Sequence, residues 1–535
     1  MAEFFERNLN QFAQSIKSEP HYLAKGVEKE GLRCAADARI ARTPHPEQLG
    51  HALTHPEITT DYAESLMELI TPVYSDTASL LNHLSDLHRF VQSNLKSELL
   101  WAGSMPCELD GEQSIDIAQY GDSNLGHLKY VYRRGLEVRY GKIMQSIAGM
   151  HYNFSLSDGF WASWHQNWQG SAAEPHTPTD SNLQDFKSDR YFALIRNFRR
   201  FSWLTMYLFG ASPAVDKSFI KGNRGISDEA ATGLSTKLER TLYKPWATSL
   251  RMGDLGYHNN AQAGLGICFN ELSNYATTLQ CAIRTPYPAY EKLGIKDESG
   301  YYQLNTNILQ IENEYYSSIR PKRTTKRGEK PIQALQSRGV EYIEVRCLDL
   351  NPFLPLGVNE TAIDFMDLFL LFCLLEESPW IEEAECAEVD MNFTSTVSEG
   401  RKPGLALQQN GKPKILTEWA TELLDKMTPL ATVMDQHSGS NRYTASLEEQ
   451  RDKVHCPHLT PSAMILDILD NESMEYIDFV RVLSEKHQHQ FLKHPLDPEQ
   501  TAHFTDLVRT SFQSEQQLKQ DDSGDFSAFL NQYLS

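Results

Sequence analysis

Three short stretches alternate polar with apolar residues, and each predicts a strand with one face in a core. They are "GVEKEGLR" (residues 26–33), "GMHYNFSLS" (149–157) and "EYIEVRCLDLNP" (341–352). Other stretches carry the helical period. Leu416, Trp419, Leu423 and Met427 recur at that spacing, as do Tyr476, Phe479, Val480 and Leu483. The run "LFLLFCLL" (368–375) is far too short to span a bilayer and predicts a buried helix. "WASWHQNWQGSAAEPHTPTDSN" (161–182) is polar between its tryptophans and is expected to be a surface insertion or loop. "EGRKPGL" near residue 400 marks a turn. The tail "QSEQQLKQDDSGDF" is expected to connect to a last short helix.

These elements give an α+β chain without regular βαβ alternation. We expect a catalytic part over 1–405, carrying the insertion at about 161–182, and a mostly helical part over 406–535 packed on it. The composition is that of a globular protein, 40% hydrophobic and 23% charged over 535 residues. A net charge of −21 argues against nucleic acid or an anionic membrane as partner. The early acids of "MAEFFERNLNQF" leave no apolar signal core, and the eight cysteines form no CxxC pair. Both observations point to a cytoplasmic protein with free thiols. His455-Cys456-Pro457-His458 lacks a second ligand pair and is expected to be a surface turn.

The chemistry lies where acids and arginines recur. On a strand, Glu28 and Glu30 point the same way, so two like charges share a face and need water, an arginine or a metal between them. In "ITTDYAESLMELITP", Asp61, Glu64 and Glu68 fit one face of a helix, with Asp61 and Glu64 as a capping box. His151 and Asn153 share a face, as do Glu344 and Arg346. An acid beside an arginine is either an ion pair or, at an ATP site, a metal ligand beside a phosphate clamp. "IRPKRTTKRGEK" (319–330) groups Arg320, Lys322 and Arg323 with further bases, as a phosphate-facing loop or a solvated hairpin. Arg133 and Arg251 stand in aromatic surroundings. No GxxxxGK[ST] or GxGxxG loop is present, so any ATP phosphates must be held by metals and arginines.

Taken together, "GVEKEGLR", "ALTHPEITTDYAESLMELITP", "IAQYGDSN", "GMHYNFSL", "YLFGASPAV", "ATSLRMGDLGY", "LQIENEYYSSIRPKR", "EYIEVRCLDLNPF" and "EGRKPGL" resemble the glutamate–cysteine ligases of the gammaproteobacterial type. The likeness covers most of residues 20–405. It implies a glutamine-synthetase-like fold, a curved, largely antiparallel sheet forming a funnel. It also implies ATP-dependent joining of the glutamate γ-carboxyl to the cysteine α-amine through γ-glutamyl phosphate, the first step of glutathione synthesis. Carried over residue by residue, Glu28, Glu30, Asp61, Glu68, His151 and Glu344 would hold Mg²⁺, with Mn²⁺ as a substitute. Arg346, Arg251 and Arg133 would act on the reacting groups, and Lys322, Arg323 and Arg346 on ATP. Arg251, Tyr257 and Tyr316 would hold substrate carboxylates, while Tyr62, Leu136 and Gln145 would line the thiol pocket. Tyr62 stands where the family pattern has Phe. A monomer subject to feedback by glutathione is also implied. The alternatives are a ligase of the same fold acting on another amine, and a binding protein that lost the chemistry.

Overall fold

A computed structural model describes residues 2–168, 170, 182–224, 226, 231, 233–256, 262, 265–298, 300–326, 328–522 and 524–535. Its centre is a seven-stranded sheet in which every described pairing is antiparallel. The strands are β1 (Leu23–Ala35), β2 (Ile58–Thr60), β3 (Leu66–Ile70), β4 (Glu98–Leu100), β5 (Met150–Leu156), β6 (Ile319–Lys322) and β7 (Tyr342–Leu348). They run in the order β6-β7-β5-β1-β3-β2, with β4 pairing the far end of β1. The three alternating stretches thus lie side by side as β7, β5 and β1, and the expected α+β, antiparallel architecture is present.

One sheet face is covered by helices. α1 (Ala2–Ser15), α2 (Thr77–Asn94), α3 (Asn124–Tyr140), α4 (Asp158–Asn167) and α5 (Leu183–Phe209) precede the last two sheet strands. α6 (Glu360–Leu375) and α7 (Glu383–Glu399) follow them. α5 packs on β6 and β7, and α2 on β1 and β3. α6 contains the predicted apolar run, and its side chains from Ile363 to Leu375 are all buried. Asn359 begins it by accepting a hydrogen bond from the Ala362 amide at 2.9 Å.

The C-terminal helices are α8 (Leu416–Ser438), α9 (Arg442–His455), α10 (Tyr476–Lys493), α11 (Pro498–Asp521) and α12 (Phe526–Leu534). α8 and α9 pack on α6, α10 packs on α2 and β4, and α12 packs on α3. A continuous apolar core runs from Phe4 to Phe504 and takes side chains from both sides of residue 405.

Two expectations need correction. The 161–182 stretch is not a surface loop throughout. Trp161 and Trp164 lie on α4, are fully buried, and stack at 5.7 Å. Tryptophans three to four residues apart form a helical stripe, which the polar residues between them obscured. Residues 169 and 171–181 of that stretch lie outside the described residues. The polar tail is also not a connector at its start, because Gln513–Asp521 complete α11. The 455–458 segment closes α9 in an exposed turn, with His458 3.2 Å from Asp467.

Candidate active site

Strand pairing builds an acidic face. Glu28 on β1 lies directly opposite His151 on β5, and Asn153 lies opposite Glu344 on β7. On the other flank of β1, Glu30 faces Glu68 of β3. Glu68 therefore belongs to a strand, and Asp61 to the turn joining β2 to β3, rather than to one helix. A spacing of three and four residues fits the two arms of a hairpin as well as a helix. The β-branched Ile58-Thr59-Thr60 tips the choice toward strand. Glu64 is no capping partner. Its two oxygens accept from the amides of Gln119 and His45, at 2.5 Å each, and tie loops together.

The cluster is tight. Nδ1 of His151 lies 3.2 Å from Oε2 of Glu28 and 3.8 Å from Oε1 of Glu344, and its Nε2 lies 3.6 Å from Glu30. One ligand atom each from Glu28, His151 and Glu344 fall within 4.8 Å of one another. Asn153 donates to the other oxygen of Glu28 at 2.9 Å. Arg346 and Lys322 flank Glu344 at 3.0 and 3.3 Å.

The electrostatics separate these acids. Burial works against ionisation of Glu344, but Lys322, Arg346, His151 and Arg320 together hold its carboxyl well below the usual range. Burial likewise opposes ionisation of Glu28, and the His151 hydrogen bond keeps it low. Glu68 is pushed well up by burial, and further by Glu28, Asp61 and Glu30. Glu30 is also raised, chiefly by burial, while its Oε2 accepts from the Gly149 amide at 2.6 Å. Three nearby acids thus raise Glu68, and Lys129 offsets them only in part. That is the situation a divalent cation would relieve.

Beside the cluster opens a cavity of about 360 Å³, at the small end of ligand pockets. Glu30, Asp61, His151 and Arg346 reach it from the acidic face. Tyr62, Arg133, Leu136, Gln145, Arg251 and Tyr316 complete its inner wall, so most of the residues singled out in the sequence converge here. Gln145 donates to the Tyr316 hydroxyl at 3.1 Å. The Tyr62 hydroxyl is buried and makes no hydrogen bond among the described residues. Arg133 lies over the Tyr120 ring at 4.5 Å and donates to the Asp61 carbonyl, linking α3 to the β2–β3 turn. Arg251 is almost fully buried, donating to the carbonyls of Arg346 (2.9 Å) and Leu348 (3.3 Å). Asp349 stands 3.6 Å from it.

The basic segment divides. Lys322 and Arg320 lie on β6 and face the acids, Arg320 directly opposite Glu344. Arg323 turns aside, donating to the Arg338 carbonyl at 2.6 Å, and does not line the cavity. Tyr257 lies outside the described residues.

A family model described as Glutamate-cysteine ligase matches residues 10–396. The chain is 50% identical over 508 residues to a glutamate–cysteine ligase of Pseudomonas paraeruginosa, covering 95% of this chain and 93% of that one. The chain belongs to the glutamate–cysteine ligase family. A Pseudomonas putida member is 48% identical over 533 residues, covering 100% of this chain and 98% of the relative. The crystal structure of the Francisella tularensis glutamate–cysteine ligase, solved in complex with AMP, superposes with a TM-score of 0.87 at 34% identity. The match covers 96% of this chain and 97% of that one. A bifunctional glutathione synthetase from Pasteurella multocida shares the fold, with a TM-score of 0.67 at 22% identity. That likeness covers 91% of this chain and 54% of the larger one.

As a glutamate–cysteine ligase family member the chain is an enzyme, an ATP-dependent ligase. Sequence reasoning passed over part of the cavity's outer wall, where Arg199 and Ser202 of α5 meet Asp390 and Thr394 of α7. Their spacings of three and four residues were the available signal. Nothing local joined two helices so far apart in sequence.

Proposed function

We infer that this enzyme joins the γ-carboxyl of L-glutamate to the α-amine of L-cysteine, with ATP becoming ADP and phosphate. The product is γ-glutamylcysteine, and the reaction opens glutathione synthesis. The observation that carries the reading is the convergence of Glu28, His151 and Glu344 on one point, beside Arg346 and a cavity of amino-acid scale.

The chemistry demands such a wall. A carboxylate acylates an amine only after activation, and phosphorylating it crowds anionic oxygens. Mg²⁺, or Mn²⁺ in its place, would supply charge neutralisation there, held by Glu28, His151 and Glu344 with Glu30, Asp61 and Glu68 around them. An oxygen-rich donor set of this kind suits a hard divalent ion. Arg346 and Arg133 add positive charge fixed by the fold, so no reorganisation is needed as charge moves onto the transferred group. Lys322 neutralises Glu344 and faces the phosphate side, and we assign Arg323 at most an outer contact there. Arg251 and Tyr316 hold amino-acid carboxylates, and Tyr62, Leu136 and Gln145 receive the thiol side chain. Residues 1–405 form the catalytic part, and the helices after 405 brace it. We further assign the enzyme to the cytoplasm, as a monomer open to feedback by glutathione. Among the described residues no helix is long and apolar enough to cross a membrane.

The unpartnered Tyr62 hydroxyl keeps a second reading in view, a preference for an amine other than cysteine. The test is a product assay offering glutamate, ATP and a panel of amines. Formation of γ-glutamylcysteine, with ADP release dependent on both amino acids, supports the first reading. A faster reaction with another amine supports the second, and ADP release without an amide product excludes both.

A further inference from the structure

On the helix-covered side of the sheet lies a second cavity, of about 210 Å³, which shares no described lining residue with the catalytic one. An apolar cavity of about 150 Å³ takes up benzene, so this one has room for a single-ring side chain. Its floor is Met150 at the start of β5, with Leu348 and Asp349 at the end of β7, all buried. Phe209 of α5 and Met366 of α6 stand among its walls. Its open end lies between α9 and the helix Pro461–Asn471, where Leu459 and Met464 are exposed.

Two opposite charges stand at that open end. Lys453 and Glu449 of α9 both line the cavity and lie 3.2 Å apart. The Lys453 ammonium also donates to Gln450 at 2.8 Å, which leaves one of its N–H groups for a ligand. Burial lowers the pKa of Lys453 although Glu449 pulls the other way, so a further carboxylate there is favourable. Glu449 is 44% exposed and keeps lone pairs for an ammonium. Asn351, on the wall, accepts from the Phe353 amide at 3.1 Å, and its own amide N–H groups make no hydrogen bond among the described residues. A lone anion would face Glu449, and a lone cation would face Lys453. A zwitterion satisfies both. The apolar floor asks for an apolar body on that zwitterion, and Met150, Met366 and Met464 can adapt to its shape.

The floor is also the rear of the Arg251 seat. Arg251 donates to the Leu348 carbonyl and faces Asp349 at 3.6 Å. A ligand packed on Leu348 and Asp349 from behind would therefore restrain the guanidinium. We propose that this rear cavity is an effector site for a free apolar α-amino acid, with its side chain on Met150 and Leu348 and its charges on Lys453 and Glu449. The effect on catalysis rests on the reading of Arg251 as a holder of substrate carboxylates, whereas the binding does not. The competing role is a helix surface pair above a gap in the packing, which would be indifferent to a ligand's charges.

The test titrates L-phenylalanine, 3-phenylpropionate and 2-phenylethylamine into the full chain, read by calorimetry. Mg²⁺, a non-hydrolysable ATP analogue, glutamate and 2-aminobutyrate are present in excess, so that the catalytic cavity is occupied. L-Phenylalanine should bind about tenfold or more tighter than either analogue, as one extra charge-assisted contact implies. Lys453→Met should weaken L-phenylalanine and 3-phenylpropionate about tenfold without weakening 2-phenylethylamine. Met464→Trp, at an exposed position, closes the open end and should weaken all three. In steady-state assays L-phenylalanine should lower the KM for glutamate or cysteine about fivefold in the parent and leave it unchanged in Met464→Trp. No saturable binding, equal affinity for the three ligands, or parent-like binding by both variants overturns the site. Binding with unchanged kinetics overturns the effector role. A parent that binds in this pattern yet makes no γ-glutamylcysteine overturns the proposed reaction and leaves the site standing.

Discussion

Gly149 faces the guanidinium of Arg251 so closely that a Cβ on it would stand 1.9 Å from Nη2. The same glycine donates its amide to Glu30 and accepts from the Glu30 amide at 3.0 Å. One residue without a side chain thus sets both an arginine of the cavity and an acid of the cluster.

Gly149→Ala is therefore expected to displace Arg251 from the carbonyls of Arg346 and Leu348. Overpacking of this kind destabilises by about 1–3 kcal/mol. Misplacing a substrate-holding group should lower kcat/KM by on the order of 10²-fold. Steady-state kinetics on folded protein checks this, and a rate within twofold of the parent would show that Arg251 does not need this seat.

Glu344→Gln keeps the side chain's shape but removes the charge that pairs with Lys322 and Arg346 and faces His151. Turnover should fall by about 10²-fold, and the Mg²⁺ needed for half-maximal rate should rise. Activity is followed against Mg²⁺ concentration, with Glu28→Gln in parallel. Parent-like curves from both variants would remove the acid wall from metal binding.

Much of this wall was legible because strand period fixes facing. Glu28 and Glu30, His151 and Asn153, and Glu344 and Arg346 each separate by two residues. Apolar neighbours at the intervening positions say which way each pair turns. Glu68 was harder, because its distance from Asp61 suits a helix as well as a hairpin. Trp161 and Trp164 were hidden by polar neighbours, although their own spacing is helical. Arg199 and Asp390 could not be paired in advance, since the packing of α5 against α7 is a tertiary fact. Lys25 and Lys29 on the helix-facing side of β1 give a similar case. Lys25 is paired with Asp367 at 2.5 Å and also donates to Thr77 at 2.8 Å, while Lys29 meets His88 at 2.9 Å and the Pro355 carbonyl at 3.5 Å. Burial alone pushes Lys29 down to about 7.

The buried Tyr62 hydroxyl lies on the cavity wall with no partner among the described residues. An unmet hydroxyl favours an acceptor amine whose side chain can hydrogen-bond to it. Tyr62→Phe should therefore lower kcat/KM for serine relative to 2-aminobutyrate by about tenfold, while folding stability holds or rises slightly. Competition assays with the two amines measure the ratio directly. An unchanged ratio would mean that the hydroxyl does not contact the acceptor side chain.

Acid should destabilise the chain through His55. Its Nδ1 accepts from the amides of Glu57 (3.1 Å) and Ile58 (2.9 Å), at the entry to β2. A ring that accepts at Nδ1 must be neutral there, so protonation costs those two bonds. Burial lowers its pKa to about 4, while the unfolded chain titrates near the ordinary 6.5. Between those values the unfolded state binds the extra proton, so stability is fully present above about pH 6.5 and is lost as pH falls toward 4. The loss from this ring is on the order of 2 kcal/mol. His55→Asn supplies a side-chain oxygen that can accept the same amides without titrating. Chemical unfolding of parent and variant at pH 7.5 and pH 5 should therefore show a smaller pH-dependent drop in the variant. Equal drops in the two proteins would show that the acid sensitivity lies elsewhere.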